Sequence, residues 1–249
     1  TVADVLLRWL FATTIPGLNE IATLLIAIAV TGCLPAGLAR RVNLTIDLLE
    51  HRFSAAARRW LEAFGAGLLL LFMALITWRL GAVAEVDRAR NVTTIMTLLP
   101  TAPFLWGVTA GMAVSTAVQA LVTLKSFVEA LSASQGSGRA ALAVVLAMLC
   151  GIAAVFFGGW RPSFLGQFFP AGSVAFAAAL FGVMWLFILI MVPLGTVMGF
   201  AGLIGTATLL GIDPALYVLG TETKRYLVSD SLSVLPMFLL MGTFAAVAG

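Results

Sequence analysis

Seven mostly apolar runs without a single charge divide this chain: Ile21 to Leu38, Phe64 to Trp78, Leu98 to Leu124, Ala140 to Trp160, Val174 to Val192, Leu194 to Ile212 and Leu232 to Gly249. A bilayer core about 30 Å thick is crossed by ~20 apolar helical residues. Lipid offers backbone N–H and C=O groups no partner, so such runs take helical form, and they lack the alternating polarity of barrel strands. The expected fold is all-α and polytopic, with about seven full transmembrane helices, a remnant of an earlier span over Thr1 to Phe11, and one amphipathic surface helix. Composition excludes a water-soluble domain: of 249 residues 61% are hydrophobic, against 14 Lys plus Arg and 11 Asp plus Glu. That is more apolar surface than one compact core can hide. A net charge of +3, without a basic stripe carrying interleaved aromatics, speaks against a nucleic-acid partner. The chain opens at Thr1 with no signal pattern and meets Asp4 and Arg8 at once, which reads as a cut inside a helix.

The stretch from Arg40 to Glu62 differs from the spans. Asp47, Glu50, His51, Ser54 and Arg58 recur three and four apart, with Leu49, Phe53, Ala56, Ala57 and Trp60 on the other side. That pattern predicts an amphipathic helix lying on the membrane surface. Arg40, Arg41, Arg52, Arg58 and Arg59 make it the most basic loop, so it belongs on the cytoplasmic side together with the N-terminus. Counting outward, the loop around Asp87, Arg88 and Arg90 is outside, Lys125 to Arg139 is inside, and Asp213 to Asp230 is an outer loop. Asp47 follows Arg40 and Arg41 at the start of the surface helix, where a carboxylate meets unpaired amides and positive charge. It is therefore expected to matter more for stability than Asp87.

No catalytic set is visible. His51 is the only histidine and sits among arginines on a wet face, and serine hydrolysis and metal chemistry both lack partners. Cys33 and Cys150 lie in separate apolar runs with no second ligand at metal spacing and read as packing residues. Glu20, after Pro16, Gly17 and Asn19, has two readings: it satisfies free amides at a helix N-terminus, or it makes a polar contact to a neighbouring helix. Gly107 with Gly111, and Gly195 with Gly199, have the spacing that lets helix backbones touch. Trp60, Trp78 and Trp160 fall at span ends, as an interfacial belt requires, whereas Trp185 is mid-span. VPLG at Val192 to Gly195 breaks an apolar run into two spans meeting at a tight bend. Ser132 to Gly138, SASQGSG, is the one flexible-linker composition and reads as a fusion seam.

The order DVLLRWLF, GLNEIATLLI and ARRVNLTIDLL over Asp4 to Leu49 resembles the small Q-type membrane subunit of tripartite ATP-independent periplasmic (TRAP) transporters. Arg8 and Trp9, Glu20, and Arg41 through Asp47 fall in that family's Arg-aromatic, Glu and basic-loop positions, with Asn43 where the family often has His. Beyond the linker, VPLGTVMGFAGLIGTATLLG resembles the second span of the large M-type subunit, whose pattern is Gly-hydrophobic-Pro, with Met191 in the Gly position and then Val192 and Pro193. SVLPMFLLMG resembles its third span through Pro236, Phe238 and Gly242. The resemblance implies a fused arrangement: a Q-type domain over 1–131, a linker over 132–139, a connecting transmembrane helix over 140–161, and an incomplete M-type scaffold over 162–249.

By resemblance the chain is not an enzyme. It is the scaffold of a sodium-driven importer of organic acids in the bacterial inner membrane. Its partners are then a periplasmic substrate-binding protein, the remainder of the M-type transport domain and membrane lipid. It needs no cofactor of its own, and the sodium and substrate sites are expected in hairpins beyond Gly249. The competing reading is a non-transporting polytopic membrane interaction or assembly protein.

Overall fold

A computed structural model of the chain describes residues 9–10, 17–41, 54–134, 138–157, 173–229, 232, 238 and 241–246. Its helices are α1 (Leu18–Ala39), α2 (Ala55–Ala89), α3 (Ala102–Ala133), α4 (Gly138–Phe157), α5 (Val174–Leu189), α6 (Leu194–Leu210) and α7 (Ile212–Leu227). Residues 241–246 are also helical, and among the described residues β-pairing is confined to an isolated bridge between Thr93 and Pro100. The all-α expectation holds.

The count of seven full spans is supported in part, and the last expected span, Leu232 to Gly249, lies mostly outside the described residues. Three of the described helices, α1, α2 and α3, are long and apolar enough to cross a membrane. The Val174 to Val192 run is helical for 16 residues, to Leu189, and the Leu194 to Ile212 run for 17, to Leu210, short of the ~20 a crossing needs. Helix α4 has 20 residues, and the end of its expected span, 158–160, lies outside the described residues. The expected span from Phe64 to Trp78 is only the middle of α2, whose 35 residues rise about 50 Å at ~1.5 Å each. Residues 42–53 of the expected surface helix lie outside the described residues. Ala55 to Glu62 are not a separate surface helix but the first turns of α2, started by Ser54, whose Oγ accepts from the Ala57 amide at 3.3 Å. The expected linker also shrinks, because α3 runs through Ala133 and α4 begins at Gly138.

The region expected as an outer loop from Asp213 is α7, an amphipathic helix. Ile212, Ala215, Leu216 and Gly220 are its buried positions, spaced three and four apart. They face α2, where a Cβ on Gly220 would lie 3.0 Å from the Arg79 carbonyl oxygen.

One apolar core runs through most of the molecule. Phe64, Leu68 and Leu75 of α2 cluster with Leu149 and Phe156 of α4, Ile188 of α5, Val197 and Phe200 of α6, and Leu216 of α7. Phe200 is its centre, with ring centroids 5.4 Å from Phe72 and 5.7 Å from Phe156. A second cluster joins Ala27 of α1, Ile76 and Leu80 of α2, and Val108 and Met112 of α3.

Candidate functional site

Among the described residues no group of His, Cys, Asp or Glu could hold a metal ion. The polar side chains are instead concentrated at the two ends of the α2–α3 pair and in a seam between them.

At one end, Glu20 in the first turn of α1 clamps the loop between α2 and α3. Its Oε1 accepts from the amides of Ile95 (3.1 Å) and Met96 (2.9 Å), and its Oε2 from the Thr97 amide (3.0 Å) and hydroxyl (2.9 Å). The amides that Glu20 satisfies belong to the loop between α2 and α3, more than seventy positions away in sequence. Gly17 makes the approach possible. It sits at φ 73°, and a Cβ there would overlap Thr97 Cγ2. The clamped loop begins where α2 ends in a Schellman turn, with Asn91 at φ 47°, its amide donating to the Arg88 carbonyl and the Val92 amide to the Asp87 carbonyl. The loop presents Ile95 outward with 91% of its surface exposed.

Asp87 completes this end. Only 6% of it is exposed, and its Oδ2 accepts from the Thr101 hydroxyl at 3.0 Å and from Lys224 Nζ of α7. The acid taken from sequence as an ordinary outer-loop residue is therefore the buried one that ties α2, α3 and α7 together. Asp47, expected to matter more, lies outside the described residues, as does Asn43.

At the opposite end Arg41 pairs with Glu129 (3.4 Å), Lys125 approaches the same carboxylate (3.9 Å), and Arg59 donates to the Glu129 carbonyl. Trp60 is not a belt residue. It is buried, packs edge-on to Phe127, and its indole N–H donates to Ser134 Oγ at 2.7 Å. Trp78 is 44% exposed, as a belt residue would be, and Trp160 lies outside the described residues. Trp185 is exposed on α5, edge-on to Phe181. Cys33 and Cys150 are likewise exposed, not packing residues.

Between the ends, α2 and α3 meet along a polar seam. Gln119, 1% exposed, and Thr123 both donate to the Ala66 carbonyl, at 3.2 and 3.1 Å, and the Thr77 and Thr116 hydroxyls meet at 2.9 Å. The signal was available: Met112, Ser115, Gln119, Thr123 and Ser126 recur three and four apart.

Of the paired glycines, Gly107 faces Ile28, and a Cβ on Gly111 would lie 2.8 Å from Thr31 Oγ1 and 3.3 Å from the Thr31 backbone carbon, so α1 and α3 touch there. Gly199 lies against the Phe72 ring, whereas Gly195 has nothing within 4 Å and makes no close approach. Pro193 caps α6 after a second Schellman turn, in which Met191 takes φ 67° and donates to the Ile188 carbonyl while Val192 donates to that of Phe187. That bend rests on Gly65 of α2, whose Cβ would lie 3.4 Å from the Met191 carbonyl oxygen. Pro236 lies outside the described residues; Gly242 is exposed with nothing within 4 Å.

These groups position helices. A family model described as tripartite ATP-independent periplasmic transporters, DctQ component, matches residues 1–131. No curated protein and no solved structure matches the chain.

Proposed function

Because the chain belongs to the DctQ component family of tripartite ATP-independent periplasmic transporters, we propose that it is the membrane scaffold of a sodium-coupled, binding-protein-dependent importer of an organic acid such as a dicarboxylate. DctQ components work with a periplasmic binding protein and a large M-type membrane subunit. In this reading residues 1–131 are the Q-type domain, 132–139 a linker, 140–161 a connecting helix, and 162–249 the first part of an M-type domain, fused in one chain. The end bearing Arg41, Arg59 and Lys125 faces the cytoplasm of a bacterial inner membrane, as the excess of basic residues there favours.

The observation that supports this most directly is the shared core. Phe64, Leu68 and Leu75 of the family-matched region pack with Ile188, Val197 and Phe200 from beyond the linker. A scaffold needs such a rigid joint, because an element that moves solute must move against something that does not. We assign no solute-binding residue to this chain.

The reading is tested in cells carrying the complete operon, with uptake of a panel of labelled carboxylates measured with and without this chain. Accumulation of at least one acid is expected to require the chain, the binding protein and an inward sodium gradient together. Unchanged uptake of every acid after the chain is removed would overturn it and favour a non-transporting assembly protein.

A further inference from the structure

Between the C-terminal half of α2 and the amphipathic α7 lies a cavity of about 640 Å³, within the range of small-molecule sites. Among the described residues its lining is basic: Arg79 and Arg90 come from α2 and its cap, Lys224 and Arg225 from α7, against a single carboxylate, Asp87. That carboxylate is already engaged by Lys224 and Thr101. Among the described residues Arg225 pairs at the surface with Glu222 at 3.6 Å, and Asp213, whose field reaches Arg79, does not line the cavity. Positive charge therefore remains in excess.

Arg79 is the informative member. Its guanidinium carbon stands 4.1 Å over the ring of Trp78, and its Nε is buried with no hydrogen-bond partner. A buried N–H on a charged group is costly to leave unpaired, so an acceptor supplied from outside would be favoured there. Arginine is also the side chain whose forked donors match a phosphate. The rest of the wall is apolar, formed by Val83, Val86, Leu216 and Val228. Exposed Trp78 beside it marks the level of the headgroups. A soluble anion would gain nothing from that apolar wall, whereas a phosphate joined to a hydrocarbon chain uses both parts.

We propose that this cavity binds the phosphodiester headgroup of an anionic phospholipid, which is held by Arg79, Arg90 and Arg225 and braces α7 against α2. Basic pockets between membrane helices bind anionic headgroups in this way.

The test uses the full chain purified in detergent, with its thermal midpoint measured after adding phosphatidylglycerol, phosphatidylcholine or millimolar inorganic phosphate. Phosphatidylglycerol is expected to raise the midpoint above the value in phosphatidylcholine, by mass action on the folded state. Arg90→Gln with Arg225→Gln, both at exposed positions, should abolish most of that difference. Lys125→Gln, at the opposite end, should keep it. Arg79→Gln is the sharper variant, and the exposed pair decides the matter if it fails to fold. Equal midpoints in the two lipids would overturn the proposal. So would a lipid preference that survives the double variant, or one lost equally in Lys125→Gln. A shift reproduced by inorganic phosphate alone would mean a free-anion site and would sink the lipid assignment.

Discussion

Asp87 and Lys224 lie 137 positions apart in sequence and form a mostly buried pair, with side-chain exposures of 9% and 27%. Taking two charges out of water is costly, so such a pair contributes little over a well-packed apolar one, yet breaking it leaves an uncompensated charge. Lys224→Met would leave Asp87 with the Thr101 hydroxyl alone and is expected to lower stability by about 3 kcal/mol. Asp87→Leu should cost less, because the lysine stem is exposed enough to carry its ammonium outward to water. The combined variant is expected to be more stable than Lys224→Met by itself. Denaturation of the three purified variants in detergent measures this as a double-mutant cycle, with coupling of about 1–3 kcal/mol expected. Strict additivity would mean that the contact carries no energy.

Over residues 115–128 of α3 the usual relation between polarity and burial is reversed. Ser115, Gln119, Thr123 and Ser126 are buried, while Leu121, Leu124 and Val128 are exposed. Lipid is as apolar as leucine, so nothing drives leucine inward; close packing and hydrogen bonds hold the helices together. The hydroxyls cost little because each donates to a carbonyl one turn back, as Ser115 does to Gly111 and Ser126 to Val122. Reading apolar runs therefore located α1, α2 and α3 but said nothing about which face of each is inside. The bend at Pro193 was legible because proline interrupts the ladder whatever surrounds it. Helix α7 was missed because its charges suggested a loop, although its apolar residues keep a helical period. The clamps by Glu20 and Asp87 were illegible, since each joins groups distant in sequence. Spacing also could not separate contacting glycines from idle ones, and the structure distinguishes them. Gly111→Ala would press on Thr31 and is expected to destabilise by about 1–3 kcal/mol through overpacking. Gly202→Ala, with nothing within 4 Å, should instead stabilise by about 0.5–1 kcal/mol from helix propensity. Unfolding midpoints moving in the same direction would contradict this assignment.

At the scale of the whole molecule, the family match ends at residue 131 but the packing does not. The larger core draws on α2 from one side of that boundary and on α4, α5, α6 and α7 from the other. The Asp87–Lys224 pair crosses it too, as do the α6 bend resting on Gly65 and the contact of Gly220 with the Arg79 carbonyl. Each fully buried leucine or phenylalanine contributes ~1.5–3 kcal/mol where water is the alternative. In a bilayer the water-driven part vanishes, and close packing and interhelical hydrogen bonds must carry the association. The ring contacts of Phe72, Phe156 and Phe200 and the backbone approaches at Gly65 and Gly220 are of that kind. The covalent link between α3 and α4 should then be dispensable for assembly. Two polypeptides divided between Gln135 and Gly136 and produced together, with an affinity tag on the first only, are expected to co-purify in mild detergent near one-to-one. Introducing Lys224→Met and Phe200→Ala into the second should release it, since the first removes the crossing pair and the second the centre of the core. Separation of the unaltered halves on solubilisation would mean that the linker, not the packing, holds the two regions together, and the rigid joint on which the scaffold reading rests would be lost.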